Sequence, residues 1–569
     1  MKIKTALIIT ICCVSIMTAL IGFGNGVIDN NTDSFAIGSQ KSVKNANSNK
    51  LQDFPANTFP TLELSTFFGG SADECNLQSP VLPRVRSLVD SNNSVILVGR
   101  TASIDFPVKN AYQSTNNGSI DVILAKFSSQ GNLIFSTYFG GSGNDWGVCA
   151  AVDSQDNIII GGSTTSDDFP LKNEFKSSFV GLGANQLDDF YAKFTPDGDL
   201  LFSSYFGGNG DDWLHALALD SHDNIILVGD TGSTDLPMVN AYQNTHKSSL
   251  YNAYLAKFNA SGQELLFSTY FGGTNAYNWF IDCKIDDNDS IYLTGGSNSA
   301  NFPLLDPYQP QLGGARDATF VKFFENGSLA YSSFLGGSSY DYGESITVTP
   351  QGDVVIVGHT LSNDFPLQNA FQNTSAGGMD AFACKITANG TLLFSTYLGG
   401  VFNEEGWSVA VDHLNNILIT GKTESSNFPT TTNALASEIK GITDAYITIL
   451  SPQGTMLYSS FLGGNSLDQG RCILCDKTGR VIIIGLTTST DFPVVNAYQN
   501  LNRGSYDYFI TIFSYQLHEN TTTSGTTFTT TSRVVSGNEF SSPIASLLLV
   551  GIIVVRKRKP SHKGDPLTE

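Results

Sequence analysis

The chain has 569 residues and a net charge of −21, too long for one ordinary hydrophobic core but suited to a repeat architecture. With 55 Gly, 38 Phe, 21 Tyr and only 15% charged residues, it reads as many short strands joined by tight turns. This composition excludes a helical protein, and it excludes a nucleic-acid binder, which needs a basic stripe.

In chain order, Lys2 and Lys4 precede an apolar run from Ala6 to Phe23, so residues 1–26 read as a signal peptide or an uncleaved N-terminal anchor. Residues 27–60 are Asn/Ser/Lys-rich and aperiodic, a flexible spacer. Then a repeat begins. "FSTYFGG" and its variants place the second glycine of a pair at Gly70, Gly141, Gly208, Gly273, Gly337, Gly400 and Gly464. A Phe-Pro or Leu-Pro marker follows each pair, ending at Pro107, Pro170, Pro237, Pro303, Pro366, Pro429 and Pro493. Six of the seven Gly-Gly-to-Pro distances are 29 or 30 residues, and the first is 37 because of inserted residues within "ADECNLQSPVLPR".

Each unit reads as four strands, a to d. Strands a ("VCAAVD") and b ("NIIIGGST") are near-continuous apolar runs, strand c is "DVILAKF" and strand d is "LIFSTYFG". Strands buried on both faces stack radially, which predicts an all-β, seven-bladed β-propeller of four-stranded antiparallel blades over 61–516. "TLELSTFFGG" is a strand d with nothing before it, and the last unit stops after strand c at Asp507 to Phe513. The N-terminal strand is therefore expected to close the ring by pairing with the last three strands. The Gly-Gly pairs are expected where positive φ or tight backbone approach lets the chain turn from rim to axis.

Beyond the repeat, 517–539 is a Thr-rich stalk suited to O-glycosylation. Residues 540–555 are apolar, a transmembrane or sorting segment, and 556–569 form a basic cytoplasmic tail. Nine sequons fit an outside location: Asn30, Asn92, Asn117, Asn259, Asn288, Asn326, Asn373, Asn389 and Asn520. The pattern "YFGGSGNDW…AAVDSQDNIIIGGSTTSDDFP" resembles the SBBP (seven-bladed β-propeller) repeat family over roughly Thr61 to Phe513. The stalk, apolar run and basic tail resemble C-terminal sorting regions of prokaryotic surface proteins. The first resemblance implies an extracytoplasmic propeller and no single activity.

Asp90, Asp153, Asp220, Asp286, Asp412 and Asp476 each precede a turn such as "DSQDN", with Thr349 once in their place, and are read as structural Asx-turn residues. Hydroxyls of "GxTxS" runs are expected to bond backbone groups. Eight residues before each turn Asp stand Asp145, Asp212, Asn278, Asp341, Glu404 and Asp468, followed by Trp146, Trp213, Trp279, Tyr342, Glu405 and Gln469. In a propeller, strand a lines the axis. These residues are expected at the channel mouth, either packing the blades or holding a polar ligand or divalent cation. Leu82 and Pro83 occupy the corresponding positions of the first blade, leaving the ring incomplete there. "NAYQ" at Asn110, Asn240 and Asn496, and "NAFQ" at Asn369, are expected to pack a short helical turn. The strand-c Lys126, Lys193, Lys257, Lys322 and Lys385 become Ile449 and Ile512 in the last two units, so no chemistry depends on them.

Cys75, Cys149, Cys283, Cys384, Cys472 and Cys475 read as buried free thiols, with some disulfide pairing as the alternative; Cys472 and Cys475, three apart on one strand, face opposite sides and are not expected to pair with each other. No metal motif, catalytic constellation or cofactor signature appears. The expected function is non-enzymatic binding of a surface protein or glycan by a membrane-anchored, cell-surface propeller. The alternative is a secreted polysaccharide-cleaving enzyme.

Overall fold

The computed structural model describes residues 60–74, 85–180 and 186–514. The expected leader, the spacer up to residue 59, the stalk, the apolar segment and the basic tail lie outside the described residues, as do Asn30, Asn520, Cys75, Leu82 and Pro83. Among the described residues no helix is long and apolar enough to cross a membrane.

Seven four-stranded antiparallel sheets surround a common axis. Blade 2 shows the plan: strand a is Asp145–Val152, b Ile158–Thr164, c Asp188–Phe194 and d Leu200–Phe206. Strand a is innermost, packed against the inner strands of adjacent blades. Blade 7 combines Asp468–Cys475, Val481–Thr487 and Asp507–Ser514 with Thr61–Phe68. The closing pair is antiparallel and runs from Thr61↔Ser514 to Phe68↔Tyr508. The ring therefore shuts as its sequence anticipates.

The second aromatic of "YFGG" is the wedge between blades. Phe139, which ends strand d of blade 1, meets Phe169 and Phe194 of blade 2 edge-on, at 4.9 and 5.1 Å between ring centroids. Phe68 of the closing strand makes the same contacts with Phe106 and Phe127 of blade 1, at 4.7 and 4.9 Å. Edge-to-face pairs of this kind add about 0.5–1.5 kcal/mol beyond area burial. The tyrosine before the wedge is a polar pin: Tyr138 donates to Ser103 O (2.8 Å) and accepts from Phe106 N–H (2.9 Å).

"NAYQ" is not a helical turn. It runs beside strand d as an irregular extra edge, with bridges Lys109↔Ser136 and Gln113↔Tyr138. Asn110 sits at φ 47°, a left-handed conformation that Asn tolerates better than most residues. Gln113 donates to Asp121 Oδ2 (2.7 Å) and accepts from Gly140 N–H (3.1 Å). A covered strand edge resists pairing with another chain, so the motif guards the rim rather than folding into it.

Candidate functional site at the axial mouth

The first expected ring does not open to the channel. Asp145, Asp212, Asn278, Asp341, Glu404 and Asp468 have no exposed surface. Each binds the loop that leads into its own strand. Asp145 accepts from Gly141 N–H (2.8 Å), from Ser166 Oγ (2.9 Å) and from Thr164 Oγ1. Asp468 repeats this with Gly464 N–H and Ser489 Oγ, both at 2.8 Å. The "TxS" hydroxyls bond backbone groups as expected, Thr164 Oγ1 accepting from Ser166 N–H (2.8 Å) and Ser166 Oγ from Gly143 N–H (2.9 Å), and they also donate to these carboxylates. Sealed from the channel and turned toward protein donors, the carboxylates are removed as candidate cation ligands at the mouth.

The ring is also complete in blade 1, contrary to the sequence reading. Glu74 stands four residues after Gly70, as Asp145 does after Gly141. It accepts from Gly70 N–H (2.5 Å) and Ser103 Oγ (2.7 Å). Counting back from Asp90 crosses the inserted residues and so arrives at Leu82 instead. Residues 75–84 lie outside the described residues, and the described strand a of blade 1 is Leu88–Val89. Burial pushes Glu74 up to about 8 and Asp145 and Asp212 up to about 7, only partly offset by their hydrogen bonds.

The next position is partly exposed in blades 3 to 6, at Trp213, Trp279, Tyr342 and Glu405, and buried in blades 2 and 7, at Trp146 and Gln469. Along strand a, the second and fourth residues are partly exposed in blades 3, 5 and 6: Trp213 and His215, Tyr342 and Glu344, Glu405 and Trp407. Alternation along a strand puts both on one side. The antiparallel register then sets Asp230, His359 and Lys422 of strand b beside them. The sequence places the second position, and Trp407 beside it on strand a, but not His215, Glu344 or the strand-b partners. The i, i+2 alternation was the signal available.

These groups form a connected chain across blades 4 to 7. Arg316, just before strand c of blade 4, lies over Trp279 (4.5 Å to the ring centroid) and over Tyr342 of blade 5 (4.9 Å). It donates to Tyr342 Oη at 2.6 Å. Tyr342 stacks on His359 at 4.6 Å. Glu405 pairs with Lys422 at 3.0 Å and accepts from Trp407 Nε1 at 2.9 Å. Arg471 of blade 7 covers the Trp407 ring at 3.7 Å. Burial raises Glu405, but His359, Lys422 and Arg471 outweigh it and hold the carboxylate below its ordinary value. On the other side, His215 hydrogen-bonds Asp230. Trp146 is buried with Val148, Ile120 and Leu187, and Trp213 packs against that group.

Below the mouth a side chain crosses the axis. Four residues before each turn Asp stand Arg86, Cys149, Ala216, Asp282, Ser345, Ser408 and Cys472. Five of these are small. Arg86 spans from blade 1 to Asp282 of blade 4 (2.7 Å) and donates to Glu344 O of blade 5 (3.0 Å). The mouth is therefore a cup with a floor.

The opposite face, made of a–b and c–d turns, is built for blade cohesion. Asp153 Oδ1 accepts from Gln155 and Asn157 N–H at 2.9 and 2.8 Å, an Asx turn. Its other oxygen pairs with Lys193 at 2.7 Å. Lys126–Asp90 and Lys257–Asp220 repeat the pair. Blade 5 has Thr349 in the turn, and Lys385 shifts to Asp353 (3.1 Å). Blade 7 has Ile512, and Arg480 supplies the cation to Asp476 instead (2.7 Å). The lysines the sequence left without a role are thus ion-pair partners of the turn carboxylates. Asp220, His222 and Asp289 gather here within 4.8 Å, but Asp220 pairs with Lys257, and Ser221 donates to both oxygens of Asp289. Asn92, Asn259, Asn288, Asn326 and Asn389 lie on turns of this face, whereas Asn117 and Asn373 lie on b–c connections. Cys149, Cys283, Cys384, Cys472 and Cys475 are free, and all but Cys475 are buried. A cleft of about 560 Å³ between blades 4 and 5 includes Lys322, Tyr331 and Asp353.

No protein-family model matches this chain. It is similar to an uncharacterized WD repeat-containing protein, L264, of Acanthamoeba polyphaga mimivirus, 20% identical over 74% of this chain and 36% of that one. It is also similar to the regulatory protein FlaEY of Caulobacter vibrioides, 23% identical over 61% of this chain and 37% of that one. The chain spans about a third of the length of these relatives. Among solved structures, polysaccharide lyase Uly1 aligns over 80% of this chain and 99% of its own, at 10% identity and a TM-score of 0.41.

Proposed function

We propose that this protein is a non-enzymatic recognition module of the SBBP-repeat kind, displayed at the cell surface and anchored to the membrane by its C-terminal segment. It binds a saccharide in the axial cup. The observation that carries this reading is the lining of the mouth: Trp213, Trp279, Tyr342 and Trp407 are partly exposed and interleaved with ion-paired polar groups. Flat aromatic faces take the apolar faces of sugar rings, and fixed polar groups take their hydroxyls. The apolar runs at both ends and the sequons favour display outside the cell. Titration of the purified protein against a glycan array tests the reading. Trp279→Ala with Trp407→Ala should abolish binding without lowering the melting temperature by more than a few degrees. Unchanged binding in that double variant overturns the site.

A second reading is a polysaccharide-cleaving enzyme. It is favoured by the Tyr342 hydroxyl, which is held by Arg316 while its ring stacks on His359. Product release from any bound polysaccharide, lost in Tyr342→Phe, would replace the first reading with this one.

A further inference from the structure

We infer that the cup selects saccharides carrying an anionic group, a carboxylate or a sulfate ester, and that Arg316 is the residue that reads it. This rests on the saccharide-binding reading and adds the ligand's charge.

The argument starts from a position fixed by the fold. The residue before strand c bridges to the start of the next blade, as in Ile120↔Asn144, Tyr251↔Tyr277 and Arg316↔Tyr340. In the other six blades this residue is Ile120, Leu187, Tyr251, Met379, Thr443 or Tyr506. Only blade 4 places a charge there. Nothing in the packing of the seam requires it, since six uncharged residues serve elsewhere.

The charge is also unspent. Each carboxylate around the cup has its nearest cationic or imidazole neighbour elsewhere than Arg316: Glu405 pairs with Lys422, Asp230 hydrogen-bonds His215, and Glu344 lies 4.0 Å from His359. Arg316 has no carboxylate within ion-pair distance among the described residues. Its Nε has no acceptor, and its one side-chain hydrogen bond goes to the neutral Tyr342 hydroxyl. Trp279, Tyr340 and Tyr342 hold the guanidinium by cation–π contacts at 4.5, 5.8 and 4.9 Å. Such contacts fix a planar guanidinium without neutralising it. A guanidinium offers paired donors matched to a carboxylate or sulfate, and bonds between ionised partners are roughly twice as strong as neutral ones.

The net charge of −21 sharpens the test, because the molecule as a whole repels anionic polymers. The full protein is titrated with matched hexasaccharides: neutral, uronate-bearing and sulfated. The uronate or the sulfated form should bind at least 10-fold more tightly than the neutral one, and the arm that wins names the anion. Arg316→Gln should bring the ratio of anionic to neutral affinity down to about one, whatever it does to neutral affinity itself, because the guanidinium also holds the Trp279 and Tyr342 rings. Arg316→Lys should restore it only in part. Equal affinity for neutral and anionic forms, or a preference that survives Arg316→Gln, overturns the inference and leaves saccharide binding standing. Failure of all three forms to bind overturns both.

Discussion

Arg86 of blade 1 and Asp282 of blade 4 meet 2.7 Å apart across the propeller axis, from nearly opposite sides of a seven-membered ring. Asp282 is also held by Ser345 Oγ (2.8 Å) and Ile346 N–H (3.0 Å) of blade 5. Burial opposes its charge, yet Arg86 and Lys284 with these donors keep it below the ordinary carboxylate range. Removing one partner leaves an uncompensated buried charge, which costs about 3–5 kcal/mol. Arg86→Met should lower the denaturation midpoint by that equivalent, with an unchanged slope. Asp282→Asn should cost less, because Arg86 keeps the Glu344 carbonyl. Equal stability in Arg86→Met and wild type would show that the floor contributes nothing.

The buried carboxylate ring predicts an unusual pH dependence. Glu74, Asp145 and Asp212 have folded values of about 8, 7 and 7, above ordinary unfolded values near 4. A raised folded value means that the native state holds the proton more tightly. Stability from these groups is full below about pH 4 and is lost as pH rises through 7 to 8. Asp153, Asp220 and Asp476 are held low despite burial, so they act in the opposite sense and lose stability in acid. The melting temperature should therefore peak between about pH 4 and 6 and fall toward pH 8. Asp145→Asn, which copies Asn278 of blade 4, should flatten the fall. A melting temperature that rises from pH 5.5 to 8 would contradict the burial of this ring.

Gly140 lies between two of these carboxylates. A Cβ there would stand 2.5 Å from Asp145 Oδ2 and 2.9 Å from Asp121 Cγ. Among the first glycines of the pairs only Gly272 has a positive φ, 153°, so close approach, more than backbone conformation, is the reason for glycine. Overpacking costs about 1–3 kcal/mol, and Gly140→Ala should show that loss by thermal melting. Paired with Asp145→Ala, which makes room, its cost should shrink.

Lys257 is nearly buried against Asp220 at 2.8 Å and also donates to Glu325 O of blade 4. Lys257→Met should destabilise by about 3 kcal/mol or more, the cost of orphaning a buried carboxylate. The same change paired with Asp220→Asn should recover most of it.

The fold was legible because its markers recur at nearly constant spacing, and the closing strand because each end lacks what the other has. The site was legible only in part. Glu74 was hidden by an insertion that breaks the count from Asp90. Trp213 was visible as part of a repeated position, but His215 and Asp230 require the strand register. Arg316 carries no periodic signal, since its meaning depends on two aromatic rings from adjacent blades. The acids of the first ring looked functional because strand a lines the axis. Yet the first residue of that strand points into the loop before it, and local hydrogen bonding consumed it.

The clasp also decides how the propeller meets force. Thr61 and Ser514, where the described propeller begins and ends, are paired with each other. Tension pulling these two residues apart would open their strands rung by rung, each bond loaded alone. Tension applied at Ser514 alone enters a strand bonded along both edges, to Val481–Thr487 and to Thr61–Phe68, and is shared by both ladders. A propeller held by its carboxyl side while gripping a ligand at its mouth would therefore carry load through an interior strand, with the clasp bearing only a share of it.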